Sequence, residues 1–226
     1  MKYFIWMLFV SLFFSSTVTA QVATTRPTLY GGLAIPQGDF ANATNTVPKA
    51  GFAKNGLCGG FEFGNTFNNE SISGIAALSV SVNSMDQKAL SSFVQTQTGS
   101  YNVSVTAGSY VTVMGLYGIK VKGPLSPTAS IYGQAQAGFL FSSMPDWSIT
   151  VSPSSYPSSP STVTEAFDWA STIAYGFGGG LELKDKFNIG VRYIGGSPEY
   201  TMTVKTTTTK MRLSTSILQI VFGVMF

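Results

Sequence analysis

Apolar and polar residues alternate with a period of two over most of the chain from Thr28 to the last residue. In the last segment one face is wholly apolar and consists of Leu218, Ile220, Phe222, Val224 and Phe226. This period is typical of β-strands whose two faces meet different surroundings. We find no convincing amphipathic helix, because apolar residues nowhere recur at positions i, i+3, i+4 and i+7. The pattern therefore predicts an all-β protein.

The alternation divides the chain into eight predicted strands. Their ranges are 28–35, 51–63, 71–83, 108–122, 128–143, 169–183, 187–204 and 211–226. Short connections at 65–70, 123–127 and 184–186 alternate with long ones at 36–50, 83–107, 143–168 and 195–210. The long connections are rich in Ser, Thr and Pro, notably at 152–160 and 206–209, and are predicted to be exposed loops.

The two faces of the predicted strands differ in bulk. Phe187, Ile189 and Val191, for example, alternate with Asn188 and Gly190. The interior of an eight-stranded barrel is only just wide enough for side chains. Rows of Phe, Tyr, Leu and Ile would overfill it, whereas Gly, Ala, Ser, Gln and a few charged residues would fit.

We therefore expect the bulky face to contact lipid and the small or polar face to line the lumen. The predicted fold is an eight-stranded antiparallel up-and-down transmembrane β-barrel, in which closure pairs every strand edge. On this assignment Val191 and Phe222 face lipid, and Leu140 faces the lumen.

The start of the chain predicts a signal peptide over residues 1–20. Lys2 precedes an apolar run at 3–14, and small residues at 18–20 form a cleavage site. The alternative is a retained anchor helix, but the run is about a dozen residues, against the roughly 20 that span a bilayer. The barrel domain is then 21–226. After residue 20 no apolar stretch reaches 18 residues, which argues against a helical membrane protein.

Composition supports a surface that does not face only water. Charged residues make up 10% of the chain, where about a quarter is usual, while aromatic residues reach 13% and there are 24 glycines. The net charge of +3 is small and scattered, so we expect no nucleic-acid partner. The single cysteine, Cys58, cannot form an intramolecular disulfide.

The chain lacks the residue types that most catalytic sites need. It contains no histidine, so no imidazole can move protons beside a serine or an aspartate. With one cysteine and dispersed acidic residues, we expect neither a metal site nor a cofactor. The glycine-rich run 176–180 resembles a phosphate loop, but no helix and no Lys-Ser/Thr follow it. We interpret its glycines as making room inside a curved strand. The sequence thus predicts a protein that is not an enzyme.

Four charged residues lie on the face assigned to the lumen, close to the short turns: Glu62, Lys120, Glu182 and Arg192. An isolated charge in a narrow lumen is costly, so we expect the two acids and two bases to form one coupled network near the periplasmic mouth. Glu182 and Arg192 are expected to be coupled within it. The network is either a structural plug or a switchable gate that passes small ions.

A family resemblance rests on the glycine-rich first hairpin, at 29–36, 38–40 and 59–63, and on the terminal strand that ends in Phe226. These segments resemble small bacterial outer-membrane barrels, OmpA-like and OmpW-like domains among them. The alternating Phe222, Val224 and Phe226 are similar to the signal by which the barrel-assembly machinery recognises its clients. The resemblance implies a location in the bacterial outer membrane, with its lipid and that machinery as partners.

Three functions remain open at this stage. The first is a non-enzymatic scaffold whose long loops meet a surface partner or extracellular ligand, or stabilise the envelope. The second, implied by the OmpW-like resemblance, is a narrow channel for ions or small hydrophobic molecules. The third is a secreted soluble β-barrel that holds an apolar ligand.

Overall fold

The computed structural model describes residues 26–44, 50–66, 71–99, 101–153, 160–165, 167–204 and 207–226. The predicted signal peptide at 1–20 lies outside these ranges.

Eight antiparallel strands close into a barrel. Numbered in chain order with the other strands, they are β1 (Arg26–Gln37), β2 (Gly56–Thr66), β3 (Ile72–Ser84), β5 (Ser109–Ser126), β6 (Ala129–Ser143), β9 (Ala170–Leu183), β10 (Phe187–Gly196) and β13 (Thr215–Met225). The order around the barrel is β1-β13-β10-β9-β6-β5-β3-β2, and β2 pairs with β1 to close it. The predicted eight-stranded up-and-down barrel is confirmed.

The two ends of the barrel differ. One end carries the short turns 127–128 and 184–186 together with the start of β1 and the end of β13. The other carries every long connection. Short turns are periplasmic and long loops extracellular in barrels of the outer membrane, so we call these the periplasmic and the extracellular end.

Bulky apolar side chains cover the outside of the barrel. Val191 is 46% exposed and Phe222 is 51% exposed, whereas Leu140 is 1% exposed and points into the lumen. The predicted assignment of the two faces is confirmed. The soluble-barrel interpretation is wrong, because a ligand-binding barrel in water would turn these apolar side chains inward. An apolar outer band around a closed barrel is the architecture of bacterial outer-membrane proteins, and this chain has it.

Three predicted strands have the wrong limits. The strand predicted at 51–63 begins at Gly56, because residues 50–55 fold towards the barrel mouth and Phe52 has a φ of 50°, which no strand accepts. The strand predicted at 187–204 leaves the barrel after Gly196, where two residues including Pro198 interrupt it. The strand predicted at 211–226 begins at Thr215. The other five lie within a few residues of their predicted limits.

The long connections are folded, contrary to the prediction of exposed loops. They contain β4 (Tyr101–Ala107), β7 (Trp147–Pro153), β8 (Ser161–Glu165), β11 (Glu199–Val204), β12 (Thr207–Arg212) and a helix, α1 (Gln87–Thr98). Strands β4, β7 and β8 form a separate antiparallel sheet, and β11 and β12 form a hairpin. The threonine-rich run at 206–209 falls largely within β12, while residues 154–159 of the serine- and proline-rich run lie outside the described ranges.

Helix α1 contradicts the expectation that the chain has no amphipathic helix. Asp86 caps it by accepting a hydrogen bond from the backbone N–H of Ala89 at 3.1 Å. Its buried or half-buried apolar residues are Ala89, Leu90, Phe93 and Val94, which share one side of the helix. That side covers less than two turns, so the periodicity is short. Within the described residues, no helix is long and apolar enough to cross a membrane.

Candidate functional site

The structure brings the four predicted lumen charges together near the periplasmic end. Arg192 donates a hydrogen bond to Oε2 of Glu62 at 2.8 Å, and the Nζ of Lys120 contacts Oε1 of the same carboxylate. The Nζ of Lys120 also lies 3.4 Å from Oε1 of Glu182. Each of the four residues is at most 5% exposed. The side chains come from β2, β5, β9 and β10, so these contacts run across the lumen.

Two details of this cluster differ from the sequence analysis. Glu182 and Arg192 are connected through Lys120 and Glu62 and not directly. A fifth charge, Lys122, contacts Oε2 of Glu182 and is partly exposed at the mouth. Lys122 has the same parity as Lys120 on β5, and that signal could have identified it. Among the described residues, the cluster therefore holds three cations and two carboxylates.

Two tyrosine rings flank the cations of the cluster. The Nζ of Lys120 lies 4.7 Å from the ring centroid of Tyr132, and the Cζ of Arg192 lies 4.3 Å from that of Tyr30. Cations attract the faces of aromatic rings, and the attraction grows when water is excluded. The hydroxyl of Tyr132 also donates to Oδ1 of Asn188 at 3.0 Å. Both cations are thus held by a ring as well as by a carboxylate.

Strand glycines make room for these rings. A Cβ atom built on Gly190 would collide with the hydroxyl of Tyr132, and one on Gly60 would lie 2.7 Å from the hydroxyl of Tyr30. At Gly190 a side chain would fit only if the ring moved. At Gly60 the backbone oxygen of Leu78, 2.1 Å from such a Cβ, excludes a side chain even if the ring moves. The glycine-rich 176–180 run behaves similarly, since a Cβ on Gly178 would lie 2.5 Å from a backbone oxygen of β10. These glycines serve packing inside the barrel.

The middle of the lumen is apolar, which the sequence analysis did not expect. Met114, Leu116, Leu140, Ala174 and Ile194 form a buried cluster there. The prediction of a lumen lined by small and polar residues with a few charges is therefore only partly right. The bulk that these side chains add is accommodated by glycines on the facing strands, such as Gly176 beside Leu116.

The extracellular end of the barrel is covered by the first long connection. Phe40 and Phe52 are fully buried, and the ring of Phe40 packs edge-on against Tyr110 with 4.9 Å between centroids. The hydroxyl of Tyr110 donates to the backbone oxygen of Gly51 at 2.7 Å. Phe52 contacts Phe93 of α1 with 6.1 Å between ring centroids. We call this group the extracellular plug: Phe40, Gly51, Phe52, Phe93 and Tyr110.

Above the plug, the β4-β7-β8 sheet and α1 form a folded extracellular cap. The apolar face of the sheet joins the buried cluster through Val105, with Val103 and Ile149 packed against it. Trp147 packs edge-on against Phe167 with 5.1 Å between centroids. The connections that leave the membrane therefore share a hydrophobic core that is continuous with the upper lumen.

The β11–β12 hairpin stands beside this cap. Tyr200, on its inner side, is fully buried, whereas its outer side carries an ion pair between Lys210 and Glu199 at 2.9 Å. The hydrogen bond from Lys210 lowers the pKa of the Glu199 carboxyl from its usual value. The nearby Arg212 lies 3.4 Å from the same carboxylate. This ion pair is solvent-exposed, unlike the cluster in the lumen.

The residues of the predicted assembly signal lie on the outside of β13 and just beyond it. Phe226 is 73% exposed, and its backbone N–H donates to the oxygen of Pro27 at 3.0 Å, so it remains attached to the sheet. Phe222 stacks on Phe187 with 5.9 Å between centroids, and Val224 is half-buried on the same face. Recognition of these side chains by the assembly machinery stays a prediction.

Comparison with known proteins gives likenesses among solved structures alone. No family model matches the chain, and no curated protein matches it significantly. The crystal structure of Ail, the attachment invasion locus protein of Yersinia pestis, shares 11% identity, with a TM-score of 0.44 over 91% of this chain and 100% of that one.

Two other structures of Ail are similar to a comparable degree. The complex with the heparin analogue sucrose octasulfate shares 12% identity, with a TM-score of 0.42 over 89% of this chain and 99% of that one. The backbone structure in a phospholipid bilayer nanodisc shares 12% identity over the same fractions, with a TM-score of 0.37. The fold of this chain is therefore assigned from its own strand pairing and outer surface.

Proposed function

We propose that this outer-membrane barrel is a non-conducting and non-enzymatic scaffold that holds a folded binding cap outside the cell. The observation that carries the proposal is a lumen packed at three levels, by the charge cluster, by the apolar cluster around Leu140 and by the extracellular plug. A barrel filled in this way anchors what stands above it.

The extracellular cap supports the binding role. A barrel that serves only to stabilise the envelope needs no ordered structure beyond its strands, yet here a sheet, a helix and a hairpin stand above the barrel on a shared core. Binding surfaces are commonly carried by connections that a rigid scaffold positions. The absence of histidine from the sequence supports a role without acid–base catalysis.

Conductance of the refolded barrel in planar lipid bilayers tests the proposal. We expect no steady single-channel current for the wild-type protein. Replacing Phe40 and Phe52 with alanine opens the plug but leaves the charge cluster in place, so current should stay absent or become brief. A steady current through the wild-type barrel would contradict the scaffold and favour the narrow channel.

A further inference from the structure

An apolar groove interrupts the outer surface of the barrel over β2 and β3. Its floor is the backbone around Gly59, and its volume is about 390 Å³. Its walls are large apolar side chains, all exposed on the outer face: Leu57 and Phe61 of β2 and Leu78, Val80 and Val82 of β3. We call this the outer groove. Ligand sites are commonly apolar clefts of about 300–1,000 Å³, so the outer groove is large enough to hold part of a ligand.

The floor of the outer groove extends from β2 to β1. Gly59 pairs with Gly31 of β1, and Gly31 pairs in turn with Phe222 of β13. A Cβ atom on Gly31 would lie 3.7 Å from the nearest backbone oxygen, and one on Gly59 would lie 3.3 Å from such an oxygen. A Cβ on Gly32, which faces the lumen, would lie 1.9 Å from the oxygen of Ile220. Barrel packing therefore demands a glycine at position 32, but it accepts a side chain at position 31 and, after a small shift, at position 59.

The outer groove lies in the extracellular half of the apolar band. Strand β2 begins at its extracellular end with Gly56, and its exposed apolar side chains run from Leu57 to Phe63, so Gly59 faces the outer leaflet. Lipid tails gain no hydrophobic energy by entering a groove at this depth, because the bilayer is equally apolar. They do gain dispersion contacts with its floor and walls, which a tail that bridged over the gap would lose. The groove therefore favours an acyl chain that follows its shape.

A lysine stands at the extracellular end of the outer groove. The backbone N–H of Lys54 donates to the oxygen of Ser84 at 2.8 Å, which places Lys54 beside the extracellular end of β3. Leu57 follows three residues later, at most about 11 Å away along the chain. The side chain of Lys54 is 57% exposed, and its Nζ lies 4.0 Å from Oδ2 of Asp86, at the limit of an ion pair. Since an ammonium group has three donors, Lys54 can also bind an anionic group at the membrane surface.

We propose that the outer groove binds one acyl chain of an anionic lipid of the outer leaflet, whose head group contacts Lys54. The groove selects for shape and the lysine selects for charge, since one lysine near a membrane surface favours anionic lipid about fivefold. The charge also favours lipid over a second copy of the chain. In a two-fold dimer the same patch meets itself, which would bring the two Lys54 ammonium groups together.

The test measures which lipids stay with the barrel when it leaves the membrane. The full barrel is refolded in vesicles of phosphatidylglycerol and phosphatidylcholine in equal amounts, extracted into detergent and examined by native mass spectrometry. We expect a complex with one retained lipid, with phosphatidylglycerol favoured over phosphatidylcholine about fivefold. The same spectra report whether the barrel is a monomer or a dimer.

Three variants assign the lipid to the outer groove. Gly59→Leu and Gly31→Leu fill its floor, and each should lower the fraction of barrel with a retained lipid about tenfold; Gly31→Leu alone suffices if Gly59→Leu does not fold. Lys54→Gln should keep the lipid but abolish the preference for phosphatidylglycerol. The matched control is Gly133→Leu on the outer face of β6, where a Cβ would lie 4.0 Å from the nearest backbone oxygen. It adds the same side chain elsewhere and should change nothing. Gel mobility before and after heating shows that each variant is folded.

The inference is overturned if the extracted wild-type barrel carries no lipid, or if Gly31→Leu carries as much lipid as the wild type. Equal retention of the two lipids by the wild type would also overturn it, because Lys54 would then select nothing. A dimer that Gly31→Leu dissociates would assign the groove to a second copy of the chain. None of these measurements depends on conductance, so the scaffold proposal is tested separately.

Discussion

The charge cluster predicts that Glu62 and Arg192 are energetically coupled. The perturbation is a double-mutant cycle with Glu62→Gln, Arg192→Gln and the double variant. Glutamine keeps most of the side-chain volume, so the changes act mainly on charge. The guanidinium of Arg192 lies 2.8 Å from one carboxylate oxygen of Glu62, and the Nζ of Lys120 contacts the other. Glu62 and Arg192 are both almost fully buried.

The loss of unfolding free energy in each variant depends on which charges remain buried in the cluster. Glu62→Gln leaves three cations with the single carboxylate of Glu182, and removing one partner of a buried pair costs about 3–5 kcal/mol. Arg192→Gln should cost less, because Glu62 keeps its contact with Lys120. In the double variant the two lysines both retain Glu182. We expect a coupling energy of about 2 kcal/mol, within the range for residues of one network.

Urea unfolding in detergent micelles, followed by tryptophan fluorescence, measures the four free energies of unfolding. The matched control is the exposed pair Glu199 and Lys210, changed to glutamine in the same way, where water screens the charges and coupling should be indistinguishable from zero. Additive effects of Glu62→Gln and Arg192→Gln would refute a coupled network and favour independently hydrated charges.

Further predictions concern the outer face, the terminal residue and the glycines. In a cysteine-free background, a membrane-soluble maleimide should label a cysteine at position 191 but not one at position 140, and the reverse pattern would exchange the two faces. Val191→Arg should lower the free energy of unfolding by about 2–4 kcal/mol if the residue lies near the bilayer midplane. Deleting Phe226, or changing it to Asp, should lower the amount of folded barrel in outer membranes, and unchanged abundance would remove it from the assembly signal. Gly190→Val should lower the urea midpoint of unfolding because the added side chain displaces the ring of Tyr132. Tyr132→Phe keeps the ring and should lower the midpoint to a smaller extent. Equal midpoints for the wild type and Gly190→Val would show that the ring moves freely.

The sequence predicted the barrel well because its signal is local. Period-two alternation identifies strands, and the limited volume of an eight-stranded lumen decides which face points out. Val191 and Leu140 lie where this argument placed them. The same parity rule brought the charged side chains into the lumen.

The partners within the lumen were harder to predict because they depend on the stagger of the strands. Followed from strand to strand around the barrel, the register that starts at Arg26 returns to β1 at Pro36, ten residues further on. The alternation of residues along each strand carries no information about this offset between strands. The stagger brings Arg192 to Glu62, three strand interfaces away, whereas the sequence predicts coupling with Glu182 on the adjacent strand.

The sequence pattern did not predict the extracellular cap, because the cap is stabilised by tertiary contacts. Helix α1 has twelve residues, and isolated helices of this length are marginal in water. The helix is stabilised because its few apolar side chains pack on the core, as the ring of Phe93 packs on the ring of Phe52. Strands β4, β7 and β8 alternate small hydroxyl residues with Val and Ile, a pattern that high Ser and Thr content disguised as loop.

The most direct test of the fold is solution NMR of the protein in lipid nanodiscs with a paramagnetic label on the lipid tails. We expect nuclear Overhauser contacts between β1 and β13, such as Leu33 to Ile220, which close the barrel. The label should broaden the signals of Val191 and Phe222 and leave those of Leu140 sharp. Missing contacts between β1 and β13, or broadening of Leu140 in place of Val191, would contradict a closed barrel with an apolar outer face and a packed lumen.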